Sequence, residues 1–208
     1  LLVLDDGVPG PVANNSVDNN PVVRGTPSGT ILGFDTKQEA VNAAPASGGV
    51  ITVAAGTYVE QILVNGKSIS IIGAGEDQTI IQSPDAVDLV AFFDGASSRP
   101  YKYALVAAVN NATLDISGLT IDGLDKGQIT PPTNGDFVGL YGYNSSIDAD
   151  DITVTGIRDV IVGGPNDGQP SGVQRTHAVI VTIYSGTHTF GMTDSTVSNF
   201  QKNAFVLF

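Results

Sequence analysis

Cysteine is absent from the 208-residue chain, which excludes a disulfide frame, thiolate chemistry and any cysteine-ligated zinc site. Basic residues are scarce, with 9 Lys and Arg against 21 Asp and Glu and a formal net charge of −12. A nucleic-acid backbone is repelled by that field, and no basic cluster offsets it, so nucleic acid is excluded as a partner. Polyanions are disfavoured too, unless metal ions bridge the two surfaces. Long apolar runs are missing: the longest, residues 104–109, is far too short to cross a bilayer, so no membrane insertion is expected. Charged residues make up only 14%, well under the usual quarter. That argues against helices, which draw on Glu, Lys, Arg and Leu.

What fills the gap is glycine, 25 residues of it, together with Ser, Thr, Asn and Asp. This mixture suits tight turns and hydroxyl-bearing strands. The chain opens on Leu1 without a methionine and is read as a processed or excised piece. Residues 1–34 combine a short apolar run with a Pro/Gly/Asn-rich stretch lacking periodicity, and read as an extension or linker. Residues 35–208 read as one domain.

Within that domain one spacing recurs. Val59 and Ile69 are ten positions apart, as are Ala104 and Leu114, Phe137 and Ile147, and Ile180 and Phe190. Each pair spans two short alternating runs separated by small polar residues. The runs from Leu114 (Ile116, Leu119, Ile121) and from Ile147 (Ala149, Ile152, Val154) also match internally. Repeats of strand and turn with variable insertions point to stacked units, a solenoid. One helix is predicted, over 35–44, with Asp35 as its cap and Gln38 completing a capping box. Strands are predicted over 50–53, 58–64, 68–72 and 79–82.

The stretches Glu39-Ala40-Val41-Asn42-Ala43-Ala44-Pro45, Val50-Ile51-Thr52-Val53, Gly56-Thr57-Tyr58-Val59-Glu60, Ile71-Ile72-Gly73-Ala74-Gly75 and Gln78-Thr79-Ile80-Ile81 resemble the opening of the right-handed parallel β-helix (pectin lyase-like) superfamily. Bacterial surface and secreted repeat proteins of that kind open similarly. The resemblance covers about residues 35–82 and implies an all-β fold: a right-handed parallel β-helix of about five coils with a short N-terminal capping helix. It implies no activity, because the matching residues answer structural needs. The superfamily's esterases carry a Gly-Arg-Pro-Trp segment. Here tryptophan is absent, and the nearest echo is Ser98-Arg99-Pro100-Tyr101. The Gly-His-Gly and Arg-Ile-Lys segments of its hydrolases are absent too. No catalytic residue is assigned.

Three groups of residues remain as candidates. Asp148, Asp150 and Asp151 cluster on one run, and stacking in register would bring Asp115 to roughly 4.8 Å from Asp148, the interstrand spacing. They read either as a Ca²⁺ site or as exposed carboxylates tolerated in water. With Lys126, Arg158 or Arg175 as base, a Ca²⁺-dependent polysaccharide lyase is the enzymatic alternative. Tyr141, Tyr143 and Tyr184 form the second group, with Tyr141 and Tyr184 four residues after Phe137 and Ile180. Stacked rings bind polysaccharide or pack internally. The two histidines, His177 and His188, lack metal-binding spacing and read as surface or turn residues. The insertions 124–136 and 158–176 fall after equivalent points and are expected on one side. The apolar strand 204–208 reads as a point of continuation or as a contact with neighbouring protein subunits, pairing with 1–4 of the next to build a fibre. The leading expectation is a non-catalytic module, extracellular or at the cell surface, serving as stalk, adhesin or carbohydrate-binding surface.

Overall fold

The structure, a computed structural model, describes residues 4–5, 8–9, 22–24, 32–85, 91–93, 95, 99–127, 135–172 and 174–208. Its strands are β1 (Leu4–Asp5), β2 (Val8–Pro9), β3 (Val22–Arg24) and β4 (Leu32–Gly33), then after helix α1 (Lys37–Ala43), β5 (Ser47–Thr52), β6 (Gly56–Val59), β7 (Ile62–Asn65), β8 (Ser68–Ile72) and β9 (Thr79–Gln82). There follow β10 (Phe92–Phe93), β11 (Tyr101–Val109), β12 (Thr113–Asp122), β13 (Gly135–Tyr143), β14 (Ser146–Thr155), β15 (Thr176–Thr182), β16 (Phe190–Thr193), β17 (Thr196–Val197) and β18 (Asn203–Leu207).

Among the described residues these strands form a six-stranded sheet in the order β10-β11-β13-β15-β18, with β7 beside β11, and a ten-stranded sheet built on β16-β14-β12-β8-β5-β3-β4. A separate β1-β2 pair is antiparallel. From β11 to β16 the chain visits the two sheets alternately. Most neighbours are parallel, but β10 meets β11, and β3 meets β4 and β5, antiparallel.

This corrects the expected right-handed parallel β-helix of about five coils. Among the described residues the pairings define a strand-rich, mostly parallel fold of two large sheets with one short helix and antiparallel edges, not a uniform solenoid. The recurring spacing has a narrower cause. Ile69, Leu114, Ile147 and Phe190 are aligned with one another across β8, β12, β14 and β16, so their offsets record which parallel strands pair. In-register pairing fixes neither a number of coils nor how the sheets close.

The first member of each spaced pair does not align as the spacing implies. Phe137 sits beside Tyr103 and Thr176, and Tyr141 beside Ile180. The connection 183–189 between β15 and β16 is longer than the two-residue turn 144–145 between β13 and β14. The six-stranded sheet therefore takes a register of its own.

Alternation explains why the long strands form. In β12, Leu114 and Ile116 point inward, then Leu119 and Ile121, with the phase shifted at Gly118. The residues at this level, Gly118 in β12, Asp151 in β14 and Asp194 just after β16, all have positive φ (63°, 53° and 45°). A kink thus recurs at one level of the sheet. Gly73 lies against it so closely that a Cβ would meet the Gly118 carbonyl oxygen at 2.1 Å.

Helix α1 starts later than predicted. Thr36, not Asp35, is its cap: the Thr36 hydroxyl accepts from the Glu39 N–H and the Glu39 carboxylate accepts from the Thr36 N–H. Its first turn is further held by Glu60, whose carboxylate accepts from the Lys37 and Gln38 N–H groups (2.9 and 3.3 Å) and pairs with Lys37 Nζ at 2.8 Å. The Lys37 ammonium sits 3.1 Å from the Tyr58 ring centroid. Burial lowers the Lys37 pKa, and the bond to Glu60 opposes that shift. Ala40 and Val41 complete the contact with the core.

Candidate functional site

The outer face of the six-stranded sheet carries its own apolar cluster, separate from the main core: Ala104, Ala107, Val109, Val138, Tyr141 and Ile180. On it lies a row of rings. Phe92 and Tyr141 have centroids 6.3 Å apart, Tyr141 and Tyr143 6.5 Å, and Tyr143 and Tyr184 6.0 Å. The three tyrosines singled out in the sequence are thus brought together, but in graded exposure. Tyr141 is buried, Tyr143 half-buried and Tyr184 49% exposed. Tyr141 is accordingly a packing residue at the base of the row, and of the three tyrosines Tyr143 and Tyr184 are the ones a ligand can reach.

Tyr184 does not stand at the level of Tyr141, as the sequence spacing implied. It belongs to the long turn after β15, where the Asn144 side-chain oxygen accepts from the N–H groups of Tyr184 (2.7 Å) and Ser185 (3.0 Å). That clamp brings its ring edge-on to Tyr143. Beside the row is a recess of about 210 Å³ lined by Asn65, Asn110, Phe92, Tyr141 and Tyr143, among others. The Asn110 amide donates to the Asn65 side-chain oxygen at 2.9 Å. The two asparagines went unnoticed in the sequence because they read there as turn residues, which they also are.

A larger recess of about 440 Å³ lies on the other side of Tyr184. Lys102 and Asp136, paired across β11 and β13, are joined at 2.6 Å, and Arg99 NH1 donates to the same carboxylate at 3.2 Å. Lys102 also donates to the Arg99 carbonyl (2.6 Å), and Arg99 to the Gln174 carbonyl (2.7 Å). His177, expected on the surface, is 6% exposed. Its Nε2 is 3.9 Å from Asp136, and its Nδ1 has no hydrogen-bond partner. Burial pushes the His177 pKa down to about 4, Asp136 pulls the other way, and Lys202, Lys102 and Arg99 add to the depression. At 3.9 Å from a neutral imidazole, the Asp136 contact is proximity, not an ion pair.

The aspartates lie on the ten-stranded sheet. Asp115 and Asp148 are directly aligned on β12 and β14, as the repeat implied, and they border a shallow groove of about 200 Å³ with Asp150. The Ser70 hydroxyl donates to Asp115 at 3.1 Å and the Thr193 hydroxyl to Asp150 at 2.7 Å. Asp151 is the kinked residue of its strand, not part of the alternation. Among the described residues no three His, Cys, Asp or Glu side chains are grouped to hold a metal ion. The basic residues considered as partners are held elsewhere: Arg175 by Asp159 (3.0 Å), Arg158 near Asp125 (3.6 Å) and Lys126 by Asp85 (2.9 Å).

The opening residues of the two insertions touch, through a bridge between Lys126 and Asp159 and a bond from the Gly127 N–H to the Arg158 carbonyl; residues 128–134 and 173, which make up much of the first insertion and one position of the second, lie outside the described ones. Strand β18 forms an edge of the six-stranded sheet, and Phe205, Leu207 and Phe208 are exposed there. The 1–4 segment expected to pair with it falls, apart from Leu4, outside the described residues. No described helix is long and apolar enough to cross a membrane.

No family model matches the chain, and neither does any curated protein. The likeness read over residues 35–82 therefore stands on those residues alone.

Proposed function

We propose that the chain is a non-catalytic, extracellular carbohydrate-binding module of a bacterial surface or secreted protein, with the Tyr143–Tyr184 pair as its sugar platform. The observation that carries this reading is the ring row on the outer face, with the Asn65 and Asn110 amides at its side. Apolar sugar faces stack on aromatic rings, and amides supply the directional bonds that hydroxyl groups need. The non-catalytic part of the reading is supported by the positions of Lys126, Arg158 and Arg175, each engaged away from the aspartate row. Low charge and an acidic balance suit an extracellular setting. Calcium is not required for this platform, and a role for Ca²⁺ at Asp148, Asp150 and Asp151 belongs to the enzymatic alternative. Affinity electrophoresis in gels containing neutral or acidic polysaccharides, with and without Ca²⁺, tests the reading. Retardation that is lost in Tyr143→Ala supports it. Cleavage of the polysaccharide, or retardation unchanged by Tyr143→Ala, overturns it.

A second reading, a subunit that assembles into extracellular fibres, draws on the exposed Phe205, Leu207 and Phe208 at a sheet edge. Filaments with a regular repeat in electron micrographs would favour it; isolated particles at high concentration would remove it.

A further inference from the structure

We propose that the recess beside Tyr143 takes the acetamido group of an N-acetylhexosamine, so that the glycan recognised is a neutral polysaccharide built from such units. The assignment rests on the sugar-platform reading and names its substrate class. Three features converge on it.

The first is size. The recess holds about 210 Å³, below the roughly 300–1,000 Å³ of pockets that enclose a whole small molecule. It therefore suits a substituent projecting from a sugar, with the sugar ring itself left on the aromatic row.

The second is the division of its lining. Val109 and Tyr141 are buried, at 7% and 1% exposure, and Leu63, Phe92 and Tyr143 are partly buried against the same outer cluster. Asn65 and Asn110, by contrast, are exposed. An apolar interior with amides at its mouth matches a group that has a methyl at its tip and polar atoms at its root. A hydroxyl or hydroxymethyl group would instead press a polar oxygen against apolar side chains, at a cost in lost hydration.

The third is hydrogen bonding. Asn110 donates one N–H to the Asn65 side-chain oxygen at 2.9 Å. That bond leaves the second Asn110 N–H, the Asn110 Oδ1 and the Asn65 amide N–H groups for a ligand, at exposed positions. A secondary amide requires one acceptor and one donor, and an asparagine side chain presents the two together. An acetyl ester has no N–H to give to Asn110 Oδ1. A carboxylate or sulfate meets no cation among the described lining residues, all of them uncharged, on a chain of net charge −12.

The test compares chitohexaose with cellohexaose on the intact chain, by calorimetry and saturation-transfer NMR. The two share a backbone linkage and differ in carrying an acetamido group or a hydroxyl on the same ring carbon. Chitohexaose is expected to bind about tenfold more tightly, the combined effect of a buried methyl and a neutral hydrogen bond. Its acetyl methyl should receive the strongest saturation. Asn110→Gly keeps the left-handed backbone (φ 59°) and removes the amide. It should weaken chitohexaose about tenfold and leave cellohexaose binding and the denaturation midpoint unchanged. Equal binding of the two hexamers, saturation confined to ring protons, or chitohexaose binding untouched by Asn110→Gly overturns the assignment. Absence of chitohexaose binding overturns it too, whereas retardation by other polysaccharides that is lost in Tyr143→Ala would leave the platform in place.

Discussion

Lys102 and Asp136 lie side by side on adjacent parallel strands, joined at 2.6 Å, with residue exposures of 3% and 5%. An ion pair this dry is a poor source of stability in itself, since desolvation of both groups offsets much of their attraction. Breaking it is a different matter. Asp136→Asn leaves the Lys102 ammonium, and the Arg99 guanidinium beside it, without their shared carboxylate. The expected loss is about 3 to 5 kcal/mol in chemical denaturation. A variant as stable as the parent would mean that water reaches the pair.

His177 gives a pH prediction whose sign follows from its environment. Desolvation depresses its pKa to about 4 from an unfolded value of 6.5, and Lys202, Lys102 and Arg99 act in the same sense against Asp136. Above pH 6.5 both states hold a neutral imidazole, and the contribution to stability is fully present. As pH falls from there to about 4, the unfolded chain takes up the proton first and stability is lost, by about 2 to 3 kcal/mol at most. His177→Gln should flatten this part of the stability profile. NMR titration of the parent should show His177 still neutral at pH 5.

The tyrosines separate packing from binding. Tyr141→Ala should cost about 3 to 5 kcal/mol of stability, as expected for a buried aromatic side chain. Tyr184→Ala, at a half-exposed position, should shift the denaturation midpoint little while reducing polysaccharide retardation. Equal stability losses for both would show that the row is held as one packed unit.

Asp115 and Asp148 are aligned like charges. Asp115→Asn should stabilise the fold by about 0.5 kcal/mol at low salt, fading as salt screens the pair. Running the same comparison with Ca²⁺ separates the two readings of the row. Stabilisation of the parent by Ca²⁺ that vanishes in Asp148→Asn would favour metal binding; no response would leave two solvated carboxylates.

At the kink, Gly73→Ala places a methyl group against the Gly118 carbonyl, a backbone atom that cannot swing away. The expected cost is about 2 to 3 kcal/mol in chemical denaturation. Gly163→Ala, where no atom lies within 4 Å, controls for crowding, because its backbone (φ 79°) carries only the left-handed strain.

The sequence was informative where local chemistry settles local structure. The alternation around Leu114 and Ile147 gave the strands and their direct alignment, and the bounds of β8 and β9 were legible in full. The helix was legible, but not its first residue: Asp35 with Gln38 and Thr36 with Glu39 offer competing caps, and it is Thr36 that caps, with Glu60, far along the chain, also holding the first turn. The two-sheet arrangement was not legible. A spacing reports which strands pair but not which edges run antiparallel, and β3 and β10 lie in stretches without periodicity. The cationic recess escaped because Arg99, Lys102, Asp136, His177 and Lys202 come from separate segments that only the sheet brings together. His177 in particular has ordinary neighbours in sequence, and its burial comes from strands on either side.

The Asn144 clamp and the long turn it holds divide the molecule into a part that is constrained and a part that is adjustable. Both sheets keep their pairs whatever the length of the connection between β15 and β16, while each residue added or removed there carries Tyr184 along the outer face relative to Tyr143. Spacing between the rings is thus set by insertion and deletion, not by substitution. Variants differing only in that turn should recognise ligands of different pitch on an unchanged scaffold.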